Sequence, residues 1–136
     1  MPGFELVDNK EKEAIAEIFD SKSRFRMGKR VSSFEKKFSN YIGSKYAVMF
    51  SSGTAAIKAS LIACGIGKND EVITQSFTFI AVVEAIIDIG AIPIVVDIDD
   101  TLNMCTKNLE KSITKKTKAI MPVHMLGVAA DMDKIN

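Results

Sequence analysis

The chain has 136 residues, with 18 Lys and Arg against 17 Asp and Glu and an apolar content of 47%. That is enough for one core of usual domain size, about 100 to 150 residues, and length alone demands no disulfide or metal staple. A net charge of +1 with this apolar fraction excludes a solvated disordered chain and a generally basic nucleic-acid binder, while two cysteines and one His exclude a Cys/His zinc site.

The opening MPGFELVDNKEKE is too charged for a signal-peptide core. The most apolar stretch, residues 85–98, is broken by Asp88, Gly90 and Pro93, short of the roughly 20 residues a membrane span needs. The expectation is a cytoplasmic protein with no membrane partner. Charge is unevenly spread: residues 1–46 carry ten basic and seven acidic groups, residues 47–106 two and seven, and residues 107–136 six and three. The densest positive run, SKSRFRMGKR, reads as a solvated loop, with an anion-binding or partner-facing segment as the alternative.

In chain order, Asp8 and Glu11 have the spacing of a helix N-cap and its capping-box partner. Ala14, Ile15, Ile18 and Phe19 then share a face, predicting a helix over 9–21. Ser32 and Glu35 repeat the capping spacing before the stripe Phe34, Phe38, Tyr41, Ile42, and Gly43 is placed to stop that helix. Tyr46–Phe50 is wholly apolar and reads as a strand buried on both faces. Ser51-Ser52-Gly53-Thr54 turns into a helix over 55–64 that ends at Gly65 and Gly67. Strands are expected at 71–74, 92–97 and 118–124, with helices over 78–89 and 107–113 between them. Pro93 is tolerable only near the start of its strand. Strands alternating with helices imply an α/β fold with parallel pairing and right-handed crossovers. Asp131 caps what looks like the first turn of a further helix, so the chain is expected to stop where a new element begins.

Ser-Gly-Thr between a strand and a helix places free backbone N–H groups and the positive helix end toward an anion, with the Thr54 hydroxyl as an added donor. It is a phosphate cup in principle, and a plain N-cap otherwise. The GxxxxGK[ST] spacing of a nucleotide P-loop is absent, and Gly65-Ile66-Gly67 follows a helix, so it is no dinucleotide fingerprint. Phe77 and Phe79 lie at the second βα junction, where a ring either stacks on a planar ligand or fills the core. In Asp97, Asp99 and Asp100 one carboxylate is placed to reach the crevice while the others cap a turn. His124, the sole imidazole, reads as a hydrogen-bonded structural residue in preference to a base.

The segments SSGTAAIKASLIACGIGKNDEVIT, QSFTFIAVVEAIIDIGAIPIVVDID, ITKKTKAIMPVHMLG and ADMDKI together resemble the DegT/DnrJ/EryC1/StrS family of pyridoxal-phosphate-dependent sugar aminotransferases. GKRVSSFEKKFSNYIGSKYAV resembles the same family's N-terminal part. The resemblance implies the N-terminal part of the aspartate aminotransferase (fold type I) large domain: an incomplete, mostly parallel sheet with helices on both faces. It divides the chain into an N-terminal helical segment, 1–45, and a partial cofactor-binding domain, 46–136. It further implies that Gly53, Thr54 and Ala55 bind the phosphate of pyridoxal 5'-phosphate and that Phe79 stacks on its ring. The implied partners are a nucleotide-sugar substrate and an amino-acid donor such as glutamate, in a homodimer. Leu126 departs from the pattern, since many members have an aromatic there, which puts a substrate contact at that position in doubt.

The family's Schiff-base lysine and the acidic residue that pairs with the cofactor's ring nitrogen match no position up to Asn136. Lys58, Lys115, Lys116 and Lys118 do not substitute, so these 136 residues are expected to have no catalytic residue of their own and no transaminase activity. The alternatives are a sugar dehydratase of the same fold and a non-catalytic binding module.

Overall fold

The Asp8 backbone N–H donates to the Glu11 carboxylate at 2.8 Å while the Asp8 carboxylate accepts the Lys10 N–H at 2.7 Å, so the first helix begins with the reciprocal cap its spacing predicts. The structure is a computed structural model that describes residues 6–20 and 28–136. Most of the basic run 21–30 therefore lies outside the described residues. The chain divides into two units, residues 1–49 and 50–136.

In the first unit, α1 spans Asn9–Asp20 and α2 spans Lys29–Ile42. Ser32 and Glu35 do not cap α2, contrary to expectation. The helix begins earlier, from an extended Gly28 whose carbonyl accepts the N–H groups of Val31 and Ser32, so Ser32 lies inside the first turn. Glu35 is freed from capping and accepts the Met49 N–H at 2.9 Å. Arg30 pairs with Glu17. Gly43 closes α2 at φ +72°, a conformation that costs a side-chain-bearing residue roughly 1–2 kcal/mol. Phe34 and Phe38, one turn apart, stack with ring centroids 5.6 Å apart.

The expected strand at Tyr46–Phe50 is absent. These residues pair with no described strand, and Tyr46 and Val48 are 75% and 68% exposed. An apolar run becomes a buried strand only beside a neighbour that takes up its N–H and C=O groups. Here side chains hold the backbone instead, with Ser44 Oγ donating to the Tyr46 carbonyl at 2.8 Å.

In the second unit, α3 spans Gly53–Ala63, β1 Glu71–Gln75, α4 Ala81–Asp88, β2 Ile92–Val96, α5 Thr106–Ser112, β3 Thr117–Met121 and α6 Met132–Ile135. The three strands form a parallel sheet in the order β2-β1-β3. Glu71 lies opposite Ile92 and Thr117, with one irregularity in the β1–β3 ladder between Glu71 and Val72. β3 stops at Met121, three residues earlier than expected, because Pro122 has no N–H to continue the ladder. α4 starts three residues later than expected, after Ser76 and Phe77 are tied to the sheet edge by the Ser76 N–H to the Val96 carbonyl at 2.8 Å and the Gln75 amide to the Phe77 carbonyl at 3.0 Å.

β1 is central and alternates between two cores. Val72 packs with Leu61, Ile66, Val82, Ile86 and Ala91 on the α3/α4 face, and Ile73 packs with Val96, Met104 and Leu109 on the opposite face. Burying each of these side chains other than that of Ala91 contributes about 1.5–3 kcal/mol. Gly90 ends α4 at φ +78°, a conformation that strains any residue with a side chain, while an added Cβ would reach ordinary contact with the Lys68 backbone at 3.4 Å. Among the described residues no helix is long and apolar enough to cross a membrane.

Candidate functional site

Parallel strands bring their C-terminal ends to one edge of a sheet, where open α/β folds hold ligands. α3 is joined to β1 by residues 64–70 and packs on it through Leu61, so it runs antiparallel to the strand and its N-terminus lies at that same edge. α4 runs back across the sheet in the same sense, and Lys58 of α3 pairs with Asp88 of α4 at 3.2 Å. Four segments therefore gather there: 51–55, 76–80, 97–104 and 122–130.

Ser52, extended at φ −157°, caps α3 by accepting the Ala55 N–H on its hydroxyl at 3.2 Å, and its carbonyl accepts the Ala56 N–H. Among the described residues the N–H groups of Gly53 and Thr54 and the Thr54 hydroxyl have no protein partner. An added Cβ at Gly53 would meet nothing within 4 Å, so the approach to this backbone is open. Two of the three expected phosphate donors are thus available, and the third, at Ala55, is engaged by Ser52. The N-cap and anion-cup readings coexist on one turn.

Neither aromatic of the second junction fills the core. Phe77 is 43% exposed and Phe79 is 76% exposed. The Phe79 backbone is fixed nevertheless, its carbonyl accepting the Val82 N–H at 3.1 Å. Between the two rings the Thr78 hydroxyl oxygen is buried without a hydrogen-bond partner among the described residues.

Of the acidic group after β2, Asp99 closes a turn by accepting the Thr101 N–H at 2.9 Å and its hydroxyl at 2.5 Å. The Thr101 hydroxyl, assisted by that backbone N–H, holds the Asp99 carboxyl below its ordinary value of 3.8. Asp97 accepts the Asn108 amide at 2.9 Å, so it is committed to α5. His124 lies beyond β3, where its Nδ1 accepts the Ala130 N–H at 3.0 Å, the structural role its sequence context favours. Leu126 adopts the left-handed conformation at φ 52°, ψ 25° with 80% of its surface exposed. The Asp131 carboxyl is also held below 3.8 by its bond from Lys134, whose own value is raised above 10.5.

Two residues that the sequence motifs do not mark sit beneath this edge. Gln75 and Asn103 are fully buried, and their amides bond to all three strand-following loops. Gln75 had a faint signal, as a polar residue directly after the expected strand 71–74, whose alternation, continued one residue, sends it to the Ile73 face. Asn103 had none.

The profile of the DegT/DnrJ/EryC1/StrS aminotransferase family matches residues 5–136. GDP-perosamine synthase of Caulobacter vibrioides is 42% identical over 130 residues, covering 95% of this chain and 35% of that protein. The crystal structure of S. venezuelae DesV in complex with a ketimine intermediate superposes with a TM-score of 0.90 at 37% identity, covering 97% of this chain and 36% of the other. The structure of GDP-4-keto-6-deoxymannose-3-dehydratase with a trapped PLP-glutamate geminal diamine superposes with a TM-score of 0.87 at 36% identity, covering 96% and 35%. The chain thus spans about a third of the length of the relatives it matches. Its α/β architecture is the N-terminal part of the fold type I large domain. Gathered Ser-Gly-Thr, Phe79 and His124 segments at one sheet edge, together with a match that runs over nearly the whole chain, lead to one conclusion: this chain belongs to the DegT/DnrJ/EryC1/StrS aminotransferase family.

Proposed function

We propose that these residues are the N-terminal portion of a pyridoxal-phosphate-dependent aminotransferase that moves an amino group from an amino acid, glutamate foremost, to a nucleotide-linked keto-sugar. The supporting observation is the cup at the start of α3. Two N–H groups and the Thr54 hydroxyl, without a partner among the described residues, lie at the positive end of an eleven-residue helix, on the edge that also carries the exposed Phe79 ring.

The residues fit the cofactor chemically. A phosphate dianion is stabilised by N–H donors at a helix start, and Ser52 can turn its hydroxyl from accepting Ala55 to donating toward the anion, which frees the third backbone donor. Phe79 offers a flat apolar face whose backbone is pinned at a fixed height. Bound pyridoxal phosphate supplies the electron sink on which amino transfer depends. This chain's residues bind and orient it, through Gly53, Thr54 and Ala55 at the phosphate and Phe79 at the ring. No lysine of this stretch takes the covalent role, which belongs to a segment after Asn136. The working protein is a cytoplasmic homodimer, and residues 1–45 form its N-terminal helical segment ahead of the cofactor-binding domain.

The test is borohydride reduction in the presence of pyridoxal phosphate. The full-length protein should be labelled covalently and these 136 residues alone should not; covalent capture by the 136-residue chain would overturn the assignment. A dehydratase is the second reading, favoured by the likeness to GDP-4-keto-6-deoxymannose-3-dehydratase. Product analysis with a nucleotide-linked keto-sugar separates the two, since an aminated sugar supports the first and a deoxygenated sugar the second.

A further inference from the structure

We propose that Gln75 and Asn103 are positioning residues: a clasp of two buried amides that fixes the Phe79 wall and the Leu126 wall of the site relative to each other. The proposal rests on the reading of this edge as a cofactor site. Gln75 ends the central strand and is fully buried. Its Nε2 donates to the carbonyls of Phe77 at 3.0 Å and Leu102 at 3.2 Å, and its Oε1 accepts the Val123 N–H at 3.0 Å. One side chain therefore ties together the loops that follow β1, β2 and β3. Asn103, in the middle loop, adds a second tie. Its Oδ1 accepts the Met125 N–H at 3.0 Å, and its Nδ2 donates to the Thr101 hydroxyl at 3.1 Å and to the Ala129 carbonyl at 3.5 Å.

The need for such a clasp comes from exposure. Phe79 and Leu126 both present their side chains to solvent, so packing cannot hold either one. Their positions depend on their backbones, and Gln75 grips the chain two residues before Phe79 and three before Leu126. Leu126 also occupies a left-handed conformation that is strained for a branched, non-glycine residue. Such a residue persists only where its surroundings over-determine it. Here the Asn103 bond to Met125 and the His124 bond to Ala130 flank it on both sides.

An amide is the group this geometry requires. It donates twice and accepts at once, whereas a carboxylate would set negative charge against the Phe77 and Leu102 carbonyls in a buried place.

The experiment uses the full-length protein and the variant Gln75→Met, which keeps length and apolar volume but removes all three bonds. Titration with pyridoxal phosphate should show affinity about tenfold weaker, as expected when a hydrogen-bonded buried group loses its partners. The circular dichroism induced in the cofactor's absorption band should change, while inhibition of binding by inorganic phosphate, which reads the α3 cup alone, should stay within about twofold. Unchanged affinity and unchanged induced dichroism, even with a lower unfolding temperature, would overturn the proposal and leave Gln75 a stabilising residue only. Should the variant not fold, amide hydrogen exchange of the unaltered protein decides. Val123 and Met125 should be protected as strongly as the amides of β1, and exchange at the rate of exposed loops would overturn the clasp. A wild-type protein that binds no pyridoxal phosphate removes the site reading itself; a wild type that binds while the variant behaves identically removes the clasp alone.

Discussion

Ser52 Oγ accepts the Ala55 N–H at 3.2 Å, so the side chain that caps α3 occupies one of the three backbone donors proposed for the cofactor phosphate. Cap and anion site compete for a single N–H. The substitution Ser52→Asp separates them, because Asp is an equally good cap but carries a charge that repels phosphate. Stability in urea should change by no more than a few tenths of a kcal/mol, while the affinities for pyridoxal phosphate and for inorganic phosphate fall together. Ser52→Ala should instead lower stability by about 1 kcal/mol.

In the proposed site Thr54 offers its hydroxyl as well as its N–H to the phosphate. Replacing it by Val keeps the shape and the backbone donor, so only one hydrogen bond to a charged group is lost, roughly 1.5 kcal/mol or a little over tenfold in affinity. Thr54→Ser should restore most of it. Competition between inorganic phosphate and pyridoxal phosphate in the full-length protein measures both.

The two cores can be tested independently. Ile86 and Ile73 are completely buried, one in each cluster on opposite faces of β1. Each truncation to Ala should cost about 2–5 kcal/mol, and the double variant should lose close to the sum, since the sites share no packed neighbour. Denaturant unfolding of the full-length protein gives all three values.

Acid should weaken the loops at the sheet edge. The Thr101 hydroxyl lowers the Asp99 carboxyl and the Lys134 ammonium lowers that of Asp131, so the folded chain binds fewer protons than the unfolded chain in this range. Their contribution is present above the ordinary value of 3.8 and is lost as pH falls through the lower folded values. Lys134 is raised, so its contribution is present below 10.5 and is lost as pH rises through its folded value. Unfolding midpoints across acid pH should fall less steeply in Asp99→Asn than in the unaltered protein.

Signals within a few residues were legible in the sequence. The Asp8–Glu11 cap, Gly43 and Gly90 as helix stops, and the cap at Asp131 all depend on neighbours close in the chain, and the structure has them where their spacing places them. Two readings failed for different reasons. Ser32 has the right spacing for a cap, but Gly28 already starts the helix, and local spacing does not rank two possible starts. Tyr46–Phe50 has strand composition, yet apolar content reports what a segment gains by burial, not whether a partner strand lies beside it. At the edge of the sheet, Phe79 and the Ser-Gly-Thr turn stood out through motif and resemblance. Gln75 and Asn103 did not, because a buried amide is defined by partners up to 48 residues away, as with Val123.

Pro93 sets a direction on the whole sheet. The N–H group of Ile92 and the carbonyl of Val96 bond to the β1 segment, so by alternation position 93 faces the outer side of β2. That side lacks a donor where a further strand would seek one. Among the described strands β2 is therefore the edge less suited to pairing with a further strand, while the β3 edge carries no proline.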